Sequence, residues 1–154
     1  MTIVPATTPE LIAQVRLLFQ AYWDSFQFTP CFQGFADEVA ALPGVYAPPR
    51  GGLFLGLEDG AAAGCVAFKP LNDTQCEAKR LYVAPAFRGR GLGRTLLEHA
   101  IAAARSAGYR ELVGDTIPEV MAPALAMYER MGFERVTPYA ESATPGAVCI
   151  RLRL

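Results

Sequence analysis

The sequence predicts an α+β fold built on a mixed sheet, and three observations predict it. A turn signal, Glu58-Asp59-Gly60, separates two apolar runs and marks a hairpin in the first half of the chain. Beyond it, strand-like runs alternate with segments of helical period, the order that packs helices on a sheet. A glycine-rich turn, Gly89 to Gly93, joins one of those strands to the longest helix. The 154 residues read as one domain, 1–154, long enough to bury a substantial core. No repeat, low-complexity tract or linker divides it.

Thr7 or Thr8, followed by Pro9 and Glu10, opens the first helix with a hydroxyl cap, an early proline and a carboxylate in the first turn. Leu11, Val15, Leu18, Phe19 and Tyr22 recur at helical spacing and carry it to about Phe26. A shorter helix is expected from Phe35 to Leu42, where Pro43-Gly44 stops it; the rest of Gln27 to Gly52 reads as an irregular loop. Leu53 to Leu57 and Ala62 to Phe68 are the hairpin strands, and Cys76 to Val83 is a third strand ending at Pro85. Gly91 to Ala107 is the long helix, closed by Gly108. Glu111 to Asp115 is a strand, Val120 to Met131 a helix closed by Gly132, and Val148 to Leu154 the last strand.

Composition narrows the function classes. The chain is 52% hydrophobic and 19% charged, with mean hydropathy +0.21, as globular proteins are. Its formal net charge is -1, so nothing suggests a surface that neutralises many phosphates, and nucleic acid is not an expected partner. No apolar run approaches the ~20 residues that span a bilayer, and Met1 to Pro5 carries no basic leader. The cysteines Cys31, Cys65, Cys76 and Cys149 form no C-x-x-C pair and read as buried free thiols. A cytoplasmic protein without a metal or a membrane partner is the expectation. A basic cluster remains to be explained: Lys79, Arg80, Arg88, Arg90 and Arg94.

The informative stretch is Val83-Ala84-Pro85-Ala86-Phe87-Arg88-Gly89-Arg90-Gly91-Leu92-Gly93-Arg94, in which a strand leads into glycines and the glycines into a helix. Glycine admits torsions closed to other residues and lets the main chain approach a ligand. The first helical turn presents unpaired N–H groups at the positive end of the helix dipole, a seat for phosphate. Arg88, Arg90 and Arg94 add charge at the same place. The P-loop pattern fails here, since Arg94 stands for its lysine and Arg88 for its first glycine. The dinucleotide fingerprint fails too, with Leu96 where its third glycine belongs. What remains, R-x-x-G-x-G, is also compatible with a plain strand-to-helix turn.

Together these residues resemble the GNAT N-acetyltransferase superfamily. Its Q/R-x-x-G-x-G/A signature is matched by Arg88 through Gly93, its E-x-K-R-L-Y-V-x-P strand by Glu77 through Pro85, and its A-x-x-x-Y-x-x-x-G-F motif by Ala124 through Phe133. The resemblance implies a three-layer fold, with a mostly antiparallel central sheet flanked by helices. It implies acetyl-CoA as cosubstrate and a primary amine of a small molecule or peptide as acceptor, attacked directly. It also admits a homodimer, though no residue pattern here specifies one. Cofactor-binding positions carried over are Leu81, Tyr82, Val83, Arg88, Gly89, Arg90, Gly91, Leu92, Gly93, Arg94 and Tyr128. Leu81 and Val83 act through main-chain groups, one N–H reaching the thioester oxygen. One departure is Met121, where many relatives carry an Asn that helps hold the pantetheine arm.

The chemistry asks for a proton acceptor for the amine, donors for an oxyanion and a donor for the departing thiolate. Glu77 is the candidate base, the other reading being a strand carboxylate paired with Lys79 or Arg80; Asp115 is the second choice. Tyr128 is the candidate acid, set against a half-buried core tyrosine. His99 lies off the apolar face of its helix and reads as a surface residue, while Cys76 alternates away from Glu77. The acceptor wall is expected among Tyr22, Trp23, Phe26, Phe28, Phe32, Tyr46 and Tyr139, most of which serve equally well as core. Two other readings stay open: an acyl-CoA-binding regulatory module with little turnover, and an unrelated phosphate-binding domain.

Overall fold

The computed structural model describes residues 1–26, 34–138 and 146–154, without the side chains of residues 119–122. Phe28, Cys31, Phe32 and Tyr139 lie outside the described residues, as does the side chain of Met121. In chain order the elements are β1 (Thr2–Pro5), α1 (Pro9–Asp24), α2 (Phe35–Ala40), β2 (Gly52–Glu58), β3 (Ala61–Pro70), β4 (Gln75–Val83), α3 (Leu92–Ser106), β5 (Glu111–Thr116), α4 (Pro118–Arg130), β6 (Glu134–Val136) and β7 (Val148–Arg153). Single 3₁₀ turns at Gly44–Tyr46 and Pro85–Phe87 join α2 to β2 and β4 to α3. The sheet runs β1-β2-β3-β4-β5-β7-β6, antiparallel throughout except for the parallel pair β4–β5. The expected mixed, mostly antiparallel sheet flanked by helices is what forms.

Local chemistry explains the boundaries. Thr8 caps α1, its Oγ1 accepting from the Leu11 N–H at 3.3 Å, and Pro9 opens the helix. Asp59 and Gly60 both take positive φ, 51° and 80°, which closes the hairpin between β2 and β3. The helix α3 is amphipathic: Leu92, Leu96, Leu97, Ala100, Ile101 and Ala104 form one buried face. That face and Leu125 of α4 pack on one side of the sheet with Val66, Phe68, Leu112 and Ile150. On the other side, Val15, Leu18 and Phe19 of α1 and Phe35 of α2 pack with Leu53, Leu55, Ala67 and Tyr82. Burying each such aliphatic side chain stabilises the fold by about 1.5–3 kcal/mol.

Two strands were not expected from the sequence. Both are short edge strands: β1 is four residues ending in Pro5, and β6 is the polar-led Glu134–Val136. Neither is long enough to show an alternation, and each exists because a longer neighbour offers its unpaired edge.

The glycines of the sheet and the cradle differ in what they tolerate. A Cβ on Gly64 would meet the Tyr82 carbonyl oxygen at 2.7 Å and Leu96 Cδ1 at 3.0 Å, so α3 sits on this strand at glycine distance. Gly93 is helical, and a Cβ there meets only Val83 Cγ2 at an ordinary 3.6 Å. Gly64→Ala is therefore expected to cost about 1–3 kcal/mol through overpacking. Gly93→Ala should be neutral or stabilise by roughly 0.5–1 kcal/mol through helix propensity. Urea denaturation of the two variants checks the contrast, which equal midpoints would refute.

Candidate active site

The site begins with an irregularity in β4. Against β3, Cys65 pairs with Tyr82 and Ala67 with Lys79, so Val66 alone opposes Arg80 and Leu81. The extra residue is a β-bulge, and Arg80 takes φ 60°, a left-handed conformation rare for a residue with a side chain. On its other side, β4 pairs with β5 only at Gln75–Glu111, Cys76–Leu112 and Glu77–Val113. Beyond Glu77 the two strands part. The gap becomes a cleft lined by Ala78, Lys79, Arg80 and Leu81 of β4 and by Gly114 and Asp115 of β5. Tyr22 of α1, Leu97 of α3, Tyr128 of α4, Phe133 and Ile150 complete it.

At the end of β4 lies the cradle. Gly89 and Gly91 take φ of 79° and 81°, with open space where a Cβ would stand, so both are needed for torsion and not for room. Gly91 is the N-cap of α3, and no side chain bonds the first-turn N–H groups of that helix. Those donors and the helix dipole are free to meet an anion. The expected arginines contribute unequally. Arg88 donates through Nε to the Val83 carbonyl at 2.9 Å and lies over the Tyr82 ring, bracing the turn. Arg90 bonds Glu58 at 3.2 Å and Arg94 bonds Glu98 at 2.9 Å, both on exposed surface. Lys79 and Arg80 do not belong to this cluster; they line the cleft.

Three ionisable groups from separate elements meet in the cleft. Burial raises the Tyr128 hydroxyl far above its ordinary value, with the Tyr22 hydroxyl and Asp115 adding to the effect. Tyr22 is pushed up to about 12, by burial first and against the pull of Arg80. Asp115 is raised by desolvation, lowered by Lys79, and raised again by Glu77. Glu77 itself is 6% exposed and does not line the cleft; its Oε1 stands 3.8 Å from Lys69 Nζ and 3.7 Å from Lys79 Nζ. The pairing with Lys79 foreseen in the sequence is present. Arg80 makes a bidentate bond to Glu38 of α2, at 2.9 and 3.1 Å.

The remaining expectations sort by side chain. Leu81 and Val83 pack against the α3 core, while Tyr82, paired with Cys65 of β3, is buried on the opposite face against Tyr22; of the three, Leu81 lines the cleft. Leu92 is buried in the core. Tyr128 lies against Phe133 at 5.5 Å between ring centres. His99 is exposed, with its Nδ1 3.0 Å from the Thr95 carbonyl oxygen. Cys76 is fully buried opposite Glu77, with burial pushing its thiol up to about 12. Of the expected acceptor aromatics, Tyr22 lines the cleft, Trp23 stacks on Phe35 and Tyr46 is core. Sequence reasoning missed Arg80 and Glu38. The only available signal was a charged pair flanking apolar residues, which does not reveal a bulge.

Among the described residues no helix is long and apolar enough to cross a membrane. Against known proteins, the profile of the Acetyltransferase (GNAT) family matches residues 15–133. An uncharacterized N-acetyltransferase of Schizosaccharomyces pombe is 34% identical over 148 residues, covering 95% of this chain and 90% of that one. Among solved structures, a GNAT family acetyltransferase from Staphylococcus aureus superposes with a TM-score of 0.82 at 14% identity, covering 99% of this chain and 98% of that one. A putative acetyltransferase of Salmonella typhimurium, solved with its cofactor acetyl-CoA, gives 0.75 at 18% identity, covering 99% and 93%. With the family profile spanning well over half of its length, the chain belongs to the GNAT acetyltransferase family.

Proposed function

We propose that this protein moves the acetyl group of acetyl-CoA to a primary amine of a small molecule or peptide, by direct attack in a ternary complex. The observation that carries the reading is the parting of β4 from β5, which opens a cleft between an uncapped helix N-terminus and a cluster of ionisable groups. The residues fit acetyl-CoA: anion-seeking N–H groups at Gly91 to Arg94 for the pyrophosphate, the β4 edge at Leu81, which β5 no longer pairs, for the pantetheine amides, and apolar walls from Leu97, Phe133 and Ile150. The acetyl-CoA bound to the Salmonella protein supports the same cosubstrate here. Acetyl-CoA supplies an activated thioester; the protein's own groups do the rest.

An ammonium with a pKa of ~10 must lose a proton before it attacks. Asp115 is the proposed acceptor of that proton, because it lines the cleft and its desolvated carboxylate is a stronger base than one in water. Glu77, the first candidate from sequence, is given a supporting role: it anchors Lys79 and raises the basicity of Asp115. The Leu81 N–H is the proposed donor to the oxyanion. Tyr128 keeps its proton across the working pH range and meets the departing thiolate as a neutral O–H donor.

Binding and turnover are tested separately. Calorimetric titration with acetyl-CoA should show binding to the wild type, and Gly91→Glu should lose it through a forbidden torsion and a misplaced charge; no binding at millimolar acetyl-CoA would refute the assignment. Binding without thiol release across an amine panel would instead favour the regulatory module. Tyr128→Phe should lower kcat by about 10²-fold while acetyl-CoA affinity stays within about threefold. Full activity would leave the tyrosine only its packing on Phe133.

The pH profile tests the carboxylates with a sign. Activity needs Asp115 ionised, so the acid limb of kcat/KM follows its pKa. Removing the Glu77 charge removes a term that raises that pKa, and Glu77→Gln should move the limb to lower pH. Removing the Lys79 charge does the reverse, and Lys79→Met should move it to higher pH. An acid limb that ignores both variants would exclude Asp115 as the proton acceptor.

A further inference from the structure

We propose that Arg80 is a positioning residue: forked onto Glu38 of α2, it holds the left-handed kink of β4 that separates β4 from β5 and orients the Leu81 main chain. The inference rests on the acetyl-transfer reading for its kinetic consequence. Its structural content stands on geometry alone.

Arg80 has three unusual properties at once. Its backbone is left-handed, at φ 60°, where a Cβ crowds the following carbonyl and residues other than Gly, Asn and Asp seldom settle. Its side chain is nearly buried, at 8% exposure, although it carries a charge. Its guanidinium is held from several sides: Nε and one terminal nitrogen bond the two Glu38 oxygens, and the plane lies 5.2 Å from the Phe35 ring and 5.9 Å from the Tyr22 ring. Burial opposes that charge, but Glu38 together with the Tyr46 and Tyr22 hydroxyls outweighs it. The peptide is pinned as well, since the Cys65 thiol donates to the Arg80 carbonyl at 3.4 Å.

A buried bidentate ion pair has one good geometry. Moving Arg80 to an ordinary strand conformation would swing the guanidinium off Glu38 and leave both charges desolvated, which is strongly disfavoured. The pair therefore stabilises a torsion that the chain would otherwise avoid. The torsion has a use. It lies one residue before Leu81, within the stretch of β4 that no longer pairs with β5. The other partner is placed from the acceptor side: α2 is fixed by the Trp23–Phe35 stack at 4.5 Å and by the bond from Arg16 Nε to the Val39 carbonyl at 3.0 Å. Arg80 thus ties the wall made by α1 and α2 to the backbone that faces the thioester.

Glycine separates the kink from the charge. Two variants are made in a Glu38→Gln background, Arg80→Gly and Arg80→Ala; neither contains the ion pair, and they differ by one methyl group. The kink is open to glycine and disfavoured for alanine, so kcat of the glycine variant should exceed that of the alanine variant by about tenfold. Acetyl-CoA KM should stay within about threefold in both, because Gly89 to Arg94 are untouched. Leucine-selective ¹⁵N labelling gives a readout independent of turnover: the Leu81 amide resonance should keep its wild-type position with glycine and move with alanine. Glu38→Gln alone, which preserves shape, should lower kcat more than it raises KM. Equal kcat and equal Leu81 shifts in the two variants would overturn the proposal even if their melting temperatures differ. A wild-type enzyme without acetyl transfer would defeat the reading of function instead, while the Leu81 shifts would still decide the role of Arg80.

Discussion

A buried strand needs partners for its N–H and C=O groups on both edges, and β4 gives up one of them halfway along. From Gln75 to Glu77 it is a normal parallel neighbour of β5; from Ala78 onward that edge faces a cleft. Unsatisfied backbone groups at the centre of a sheet are costly to bury, so a fold that keeps them open invites an extended ligand to complete the ladder. The bulge opposite Val66 lies within the parted stretch, and side chains of helices on both faces line the gap. Leu97 of α3 and Tyr128 of α4 fill the cleft from one face and Tyr22 of α1 from the other.

The two ends of the site use opposite electrostatic conditions. At the cradle, the chain offers main-chain donors in an exposed turn, with charged side chains that already have partners at the surface. Solvent screens those arginines, so the helix terminus is the better-defined anion contact. Inside the cleft, screening is weak and burial dominates: two tyrosine hydroxyls and a carboxylate all shift towards their protonated forms. Low polarity of this kind also favours a neutral amine over an ammonium. The same environment that weakens an acid such as Tyr128 strengthens a base such as Asp115.

Much of this was legible in the sequence because it is local. The Gly89-to-Gly93 turn, the face of α3 from Leu92 to Ala104 and the hairpin at Asp59-Gly60 depend on neighbours in the chain, and torsion or period reveals them. The glycine pattern even separates its members: Gly91 is needed for φ, whereas Gly93 sits where alanine fits, matching the G-x-G/A form of the family signature. The site's ion pairs were not legible, because they depend on register. Whether Glu77 meets Lys69, Lys79 or Arg80 is decided by a one-residue bulge, and a bulge reverses which side chains share a face. Glu38, some forty residues from Arg80, carried no signal at all.

The arrangement also bears on the order of chemical steps. Leu81 and Val83 pack on the α3 side of the sheet, while Arg80 and Tyr82 pack on the α1 and α2 side, so the cleft is lined from both faces. A route through an acyl-enzyme would need a thiolate in the cleft. Cys76 is on the β4 strand but faces the core with its thiol pushed up to about 12, and Cys65 is buried on the other face with its thiol donated to the Arg80 carbonyl. Neither can ionise where a thioester would lie. Direct attack by the amine, as proposed, asks for no thiolate from either of these two cysteines.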